Sequence, residues 1–253
     1  MAAGPVLLNP WKPTDAWAES ALRESTAVEL RLIHHSSNYV FLARLAHPEH
    51  GEGLGIYKPE QGEQPLYDFP DGLYGREIAA FEFARLLGWD MVPPTVEVDG
   101  EHGVGSMQLF IEHDPAQHYF ALRDEDKYDW QLIRFAVFDL VTNNADRKGS
   151  HLLLDPAGQI WGIDNALCFN RVEVFRTVVW DYAGSVIPDG WVEDLRRVSA
   201  QIVACDPVAQ PLLDRLLPGE ADALVRRIEA LVSAPVLPDM DVYDRRVVPW
   251  PMV

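Results

Sequence analysis

The run Phe138-Asp-Leu-Val-Thr-Asn-Asn-Ala-Asp-Arg-Lys-Gly-Ser-His-Leu-Leu-Leu154, taken with Ile163-Asp164-Asn165, decides how the chain is organised. Upstream of its loop, an apolar stretch from Trp130 to Val141 stops at Thr142-Asn143-Asn144. Asparagine side chains bond nearby backbone and tolerate left-handed dihedrals, so this pair ends a helix. A short polar loop then exposes Asp146 and Arg147. Beyond it, Leu152-Leu153-Leu154, the turn Asp155-Pro156-Ala157-Gly158 and the run Gln159 to Ile163 read as a β-hairpin with a four-residue turn. Pairing Leu154 with Gln159 sets Leu152 opposite Trp161 and His151 opposite Gly162. Asp164 then returns to the level of Gly149 and Ser150, one strand spacing or roughly 5 Å away. Asp146, Arg147, His151, Asp164 and Asn165 should converge on one rim. Two carboxylates there, with a cation between them, suit a divalent metal and the orientation of a hydroxyl for phosphoryl transfer. A surface hairpin with solvated acids is the plain alternative.

Working outward toward the N-terminus, Ala27–Ile33 and Asn38–Leu45 read as paired strands, with His34-His35-Ser36-Ser37-Asn38 between them. Ser36, Ser37 and Asn38 can lend backbone N–H groups and hydroxyls to a phosphate, as glycine-rich loops do, or serve as an ordinary hairpin turn. The two histidines point opposite ways along a strand, which argues against zinc. A third strand, Leu54 to Pro59, carries Lys58, one of only four lysines in the chain. Its ammonium suits phosphate, although a lysine at a strand end also aids solubility. Residues 60–74 are polar with Pro and Gly, and read as a mobile loop. Gly75 to Leu87 is a helix stopped by Gly88. On it Glu77 shares a face with Ala80, Phe81 and Ala84. A half-buried carboxylate wants a cation, and Lys58 is the candidate within salt-bridge reach. A bland role complementing the helix dipole is compatible with that. Two more strands follow, at 93–98 and 103–111, the second carrying Gln108.

The 253 residues, 48% hydrophobic, suffice for one large domain or two small lobes sharing a cleft. The expected division is an N-terminal extension at 1–26, with a short helix over Ala16–Leu22, and a β-rich lobe at 27–111. A helical lobe then spans 112–233, with helices near 190–204, 207–216 and 219–233, and a Pro-rich tail over the surface at 234–253. A net charge of −18 repels nucleic acid and anionic lipid unless a basic patch overrides it, and no such patch is evident. The two cysteines, Cys168 and Cys205, lack metal spacing and fit a reduced, cytoplasmic setting. The first ten residues lack the basic and apolar regions of a signal peptide, and no apolar run reaches membrane-spanning length. Neither a nucleic-acid partner nor stable membrane association is expected, and oligomeric state is not legible.

Strand–turn–strand, a strand with Lys, a helix with Glu, two strands, a linker, an Asp loop, a hairpin and a second Asp: this order resembles a kinase. The ordinary protein-kinase motifs Gly-x-Gly-x-x-Gly, His-Arg-Asp and Asp-Phe-Gly are absent. Asn144-Ala-Asp-Arg147 and Ile163-Asp-Asn-Ala-Leu167 instead resemble the atypical branch of phosphatidylinositol 3-/4-kinases, Golgi kinases and bacterial toxin kinases. The second run is similar to type II phosphatidylinositol 4-kinases, here in a short bacterial form. The resemblance implies an α+β, two-lobed protein-kinase-like fold with a β-rich N-lobe and a mostly helical C-lobe. It implies ATP with magnesium, or manganese, and leaves the phosphoacceptor open; the acidic charge and the lack of an anchor or basic amphipathic helix favour a protein or small-molecule hydroxyl over a lipid. On this carry-over Ser36, Ser37 and Asn38 cover the phosphates, and Lys58 contacts them and pairs with Glu77. Gln108 to Phe110 border the adenine, Asp146 orients the acceptor hydroxyl, Arg147 supports its loop, and Asp164 ligates the metal. Two departures stand out: Lys148 replaces the histidine common after Asp-Arg, and His151 replaces a metal-binding asparagine. If His151 is itself a ligand, manganese is favoured and activity falls below about pH 6.5 as the imidazole protonates. A catalytically silent nucleotide-binding regulator, an AMP transferase on the same fold, and a plain interaction domain are the alternatives.

Overall fold

A computed structural model describes residues 8–33 and 38–253; Ser36 and Ser37 lie outside the described residues. Helix α1 (Ala18–Glu24) precedes strands β1 (Thr26–Leu32), β2 (Phe41–His47) and β3 (Gly51–Pro59), then helix α2 (Leu73–Leu87) and strands β4 (Thr95–Gly100) and β5 (Gly103–Leu109). These five strands form one antiparallel sheet in the order β1-β2-β3-β5-β4. Along β3 burial alternates with the pleat: Gly53, Gly55, Tyr57 and Pro59 are buried, and Leu54, Ile56 and Lys58 are half-buried on the other face. The first face packs with Ala43, Leu45, Val96 and Met107 under Trp11 and α1. Glycine at 53 is needed there, because a Cβ would sit 2.2 Å from the Trp11 ring. The N-terminal stretch is therefore the outer cover of the sheet. That leaves the other face, with Lys58, to meet the rest of the chain.

Helices α3 (Tyr119–Leu122) and α4 (Asp129–Thr142), strands β6 (Leu152–Leu154) and β7 (Ile160–Gly162), and helices α5 (Asp189–Val203), α6 (Gln210–Leu213) and α7 (Glu220–Ser233) build the second lobe. Its core joins Phe135, Phe138 and Val141 of α4 to Leu195 and Val198 of α5, and to Leu224 and Ile228 of α7. Helix α2 belongs to this core as well, through Ala79, Ala80, Phe83 and Leu87. A helix apolar on nearly every side is one buried between layers. Its end is held from the second lobe, where Arg197 donates to Leu86 O at 2.8 Å and Leu87 O at 3.2 Å. Glu77 is thus fixed where the lobes meet.

The hairpin pairs Leu152 with Gly162, Leu153 with Trp161 and Leu154 with Ile160. The expected register, Leu154 against Gln159, is corrected by one residue. Asp155 is the cause: its carboxylate accepts from the N–H groups of Ala157 at 2.8 Å and Gln159 at 2.9 Å. Gly158 completes the turn at φ +88°. The loop is thereby five residues long, 155–159. The ladder runs on through Ile163 N–H to His151 O at 2.9 Å, so Asp164 comes level with Ser150. The 60–74 connection, read as a mobile loop, is tied down by Glu63. Its carboxylate accepts from Gly72, Leu73 and Tyr74 N–H at 2.7–3.0 Å, capping α2 from outside the helix. Among the described residues no helix is long and apolar enough to cross a membrane.

Candidate active site

Helix α4 ends at Asn143 in the left-handed conformation (φ 57°), as the asparagine pair leads one to expect. The Asn143 side chain donates to the carbonyls of Asn170 at 2.9 Å and Val172 at 2.7 Å, and accepts from Val174 N–H at 3.1 Å. Asn144 donates to Asp139 at 3.1 Å and accepts from Asp146 N–H at 2.9 Å. Beneath the loop Arg147 points inward. Its guanidinium reaches both Asp139 oxygens at 2.9–3.0 Å, Ile163 O at 2.9 Å and Asn165 Oδ1 at 2.6 Å. Thr177 Oγ1 donates to the remaining side of Asp139 at 3.2 Å. Arg147 and Asp139 are completely buried, so the expected placement of Arg147 on the exposed rim is corrected. With a carboxylate and two carbonyl-type acceptors around it, the guanidinium finds its hydrogen-bond partners in the protein and can be buried without water. Asn165, also expected on the rim, is buried with it.

Above this knot lies a chain of charges that joins the lobes. Lys58 Nζ contacts Glu77 Oε1 and lies 2.5 Å from Asp164 Oδ1. The second Glu77 oxygen accepts from Asn165 N–H at 3.0 Å. Asp164 sits in the left-handed region (φ 57°), which aims its carboxylate back at the sheet. Its other oxygen faces His151 Nε2 at 3.3 Å, and His151 Nδ1 accepts from Lys148 N–H at 3.4 Å. With Nδ1 accepting, the imidazole is neutral and carries its proton on Nε2, toward Asp164. Asp146 pairs with Lys148 at 2.8 Å.

The electrostatics follow the contacts. Burial works against the Lys58 charge, but the Asp164 and Glu77 carboxylates overcome it and raise its pKa above the ordinary lysine value. Lys58, first among its neighbours, holds the Asp164 carboxyl well below the usual range. Burial pushes the His151 imidazole down to about 4 against the pull of Asp164, so it titrates far below the ordinary range near 6.5. Burial pushes Asp146 up, against the Lys148 ammonium.

Two cavities open on this chain. One of about 270 Å³ is lined by Leu73, Tyr74, Glu77, Asp146 and Leu167. The other, about 490 Å³, is lined by Ile56, Gln108, Phe110, Leu153 and Ile163. Lys58, Lys148, His151 and Asp164 border both. The Gln108 side chain is buried and donates to Thr95 Oγ1 at 2.9 Å, so its amide is tied into the sheet. Asn38 borders the smaller cavity, and its oxygen accepts from Gln64 N–H at 2.9 Å. Among the described residues no group of three or more His, Cys, Asp or Glu is arranged to hold a metal ion. Asp139, Asn144 and Thr177, which anchor the loop, were not among the expected site residues. The signal for Asp139 was present: a lone acid inside the apolar run Phe138-Asp139-Leu140 needs a buried partner.

A five-stranded lobe, a helical lobe and a Lys58–Glu77 pair extended across to Asp164 define an atypical-kinase-like fold. Solved structures agree on the fold. The Golgi casein kinase crystallised with Mn and ADP superposes with a TM-score of 0.52 at 13% identity, over 93% of this chain and 80% of that one. The Fam20 of hydra, solved with a sugar, gives 0.50 at 16% identity, over 85% and 86%. No protein-family model matches the chain. Within this class the chain belongs to the family of Protein Rv2133c of Mycobacterium tuberculosis (strain ATCC 25618 / H37Rv). The two are 35% identical over 78% of this chain and 81% of that protein.

Proposed function

We propose that this protein is an ATP-dependent phosphotransferase of the atypical kinase class, acting in the cytoplasm on a protein or small-molecule hydroxyl. The observation that carries this reading is the Lys58 ammonium held between Glu77 of α2 and Asp164 after the hairpin. Such a cation, fixed at the lobe junction beside two cavities, suits a nucleotide's phosphates. The larger cavity, bordered by Ile56, Gln108 and Phe110, takes the base, with Asn38 toward the phosphates. The smaller cavity, which Asp146 borders, admits the acceptor hydroxyl. Asp146 accepts the hydroxyl proton as the oxygen attacks the γ-phosphorus, the bond from that phosphorus to the β,γ-bridging oxygen breaks and ADP leaves; its raised pKa suits that role. Lys148, beside Asp146 and bordering both cavities, stabilises charge on the transferring group. Arg147 keeps Asp146 in place through the loop.

A divalent cation arriving with ATP would supply charge neutralisation on the β- and γ-phosphates. One carboxylate plus the nucleotide's phosphates fits magnesium, which uses one or two carboxylates rather than an all-protein cage. Asp164 would hold it. His151 borders the same point, and its Nε2 would have to give up Asp164 and its proton to join, a change that favours manganese. The Golgi casein kinase, solved with Mn and ADP, adds to the case for such a pair of ligands. The Ile163-Asp164-Asn165 run points, within the class, toward the phosphatidylinositol 3-/4-kinase branch. The engagement of His151 with Asp164 favours a second reading, a nucleotide-binding regulator without transfer. Incubation with ATP labelled at the α or γ position, with magnesium or manganese, tests the set. Transfer of the γ label establishes a kinase, and transfer of the α label an AMP transferase. Binding without transfer leaves the regulator.

A further inference from the structure

The segment after Val247 was expected to lie over the surface, but it reaches the larger cavity. Val247 is buried, and its carbonyl accepts from Thr177 N–H at 3.0 Å and Trp180 Nε1 at 3.3 Å. From there the chain runs to the loop carrying Lys148, where Gly149 N–H donates to Met252 O at 2.7 Å. Glycine at 149 is set by Phe120, whose ring a Cβ would meet at 2.8 Å, while Met252 O would be 3.4 Å away. Pro251 and Val253 then line the 490 Å³ cavity on the side of Ser150 and Leu153. They border the space without filling it, since this volume lies within the range of about 300–1,000 Å³ usual for ligand pockets. Val253 keeps 55% of its surface exposed, which a ligand in the cavity can cover.

We propose that residues 248–253 form a wall of the nucleotide-base subsite, so that nucleotide affinity depends on this segment being docked on Gly149. The inference rests on the phosphotransferase reading. Ile56 on β3, Leu153 and Ile163 line the same cavity, so a flat apolar base seated among them would meet Pro251 and Val253 as well. At the phosphate end Lys58 is bonded to Glu77 and to Asp164, not to the segment.

Binding of ADP and of inorganic tripolyphosphate, each with magnesium, tests this by calorimetry on the wild type, a variant lacking 248–253, and Val253→Asp. The second variant keeps the segment and its Met252 carbonyl. Both variants should raise the Kd for ADP about tenfold, through lost apolar contact or a charge set against the base, and leave tripolyphosphate within about twofold. Unchanged or tighter ADP binding by the shortened variant overturns the proposal, the tighter result making the segment a plug. Equal weakening of ADP and tripolyphosphate also overturns it, because the segment would then only brace the loop. A wild type that binds tripolyphosphate but not ADP, or neither, removes the phosphotransferase reading itself.

Discussion

Asp139 and Arg147 are fully buried and joined through three guanidinium contacts of 2.9–3.0 Å, with Thr177 and Asn144 completing the carboxylate. Lys58 and Asp164 form a closer pair above it, at 2.5 Å, yet the Asp164 side chain remains 49% exposed. Both are carboxylate–cation pairs, and depth separates what they can do. In the interior the pair has spent its hydrogen-bonding capacity on the protein, and losing one member strands the other. At the cleft the carboxylate keeps a face open to solvent, and on the proposed reading the cation exchanges a protein partner for a phosphate. The lower pair holds the loop; the upper pair is available to a ligand.

The comparison breaks most visibly if the lower pair is dispensable. Asp139→Ala should cost about 3–5 kcal/mol of stability in urea unfolding, because it leaves Arg147 buried and unpaired. Replacing both members with apolar residues of similar volume should cost less than the single change. A loss under about 1 kcal/mol for Asp139→Ala would mean the pair is not what holds the loop.

The upper set should show the reverse pattern, with chemistry affected and stability spared. On the kinase reading, Asp146→Asn should lower turnover about 10²–10⁴-fold with ADP affinity nearly unchanged, since proton acceptance matters in the transition state. Asp164→Ala should abolish transfer and weaken metal-dependent nucleotide binding as well, which separates the two carboxylates. Steady-state rates beside calorimetry decide it. Wild-type turnover in both variants ends the kinase reading.

How much of this was readable beforehand depends on the distance between partners and on what each residue type needs. Lys58 and Glu77 could be paired from the sequence because a scarce lysine closes a strand and a carboxylate shares a helix face with Phe81 and Ala84. The approach of His151 to Asp164 survived a one-residue error in register, because both lie just beyond the short ladder of Leu152–Leu154 with Ile160–Gly162. The error came from Asp155, whose side chain takes two backbone donors and lengthens the turn. A charged residue in a polar loop reads as exposed, which misplaces Arg147, because the partner that draws it inward, Asp139, lies eight positions back within an apolar helix. The docking of 248–253 on Gly149 was not readable at all: one backbone hydrogen bond between distant segments leaves no pattern in side-chain type.

His151 lies between the two regions, buried like Arg147 but in contact with Asp164, and its titration can say which it resembles. Facing it are Asp164, which favours its charged form, and Arg147, Lys148 and Lys58, which oppose it, with burial the largest influence. The net effect brings the imidazole to about 4, against 6.5 for the unperturbed side chain. The sign follows from proton counting. Above about pH 6.5 neither the folded nor the unfolded chain protonates this residue, and it contributes nothing to stability. Between about pH 6.5 and 4 the unfolded chain takes up a proton that the native state refuses, so stability falls as pH falls. At about pH 5 the loss is on the order of 2 kcal/mol. His151→Asn should remove that much of the difference between unfolding free energies at about pH 7 and pH 5, and the wild-type-minus-variant comparison cancels the other titrating groups. If the wild type instead gains stability relative to the variant on acidification, His151 is charged beside Asp164 in the native state. It would then belong with the exposed chain of charges above the knot.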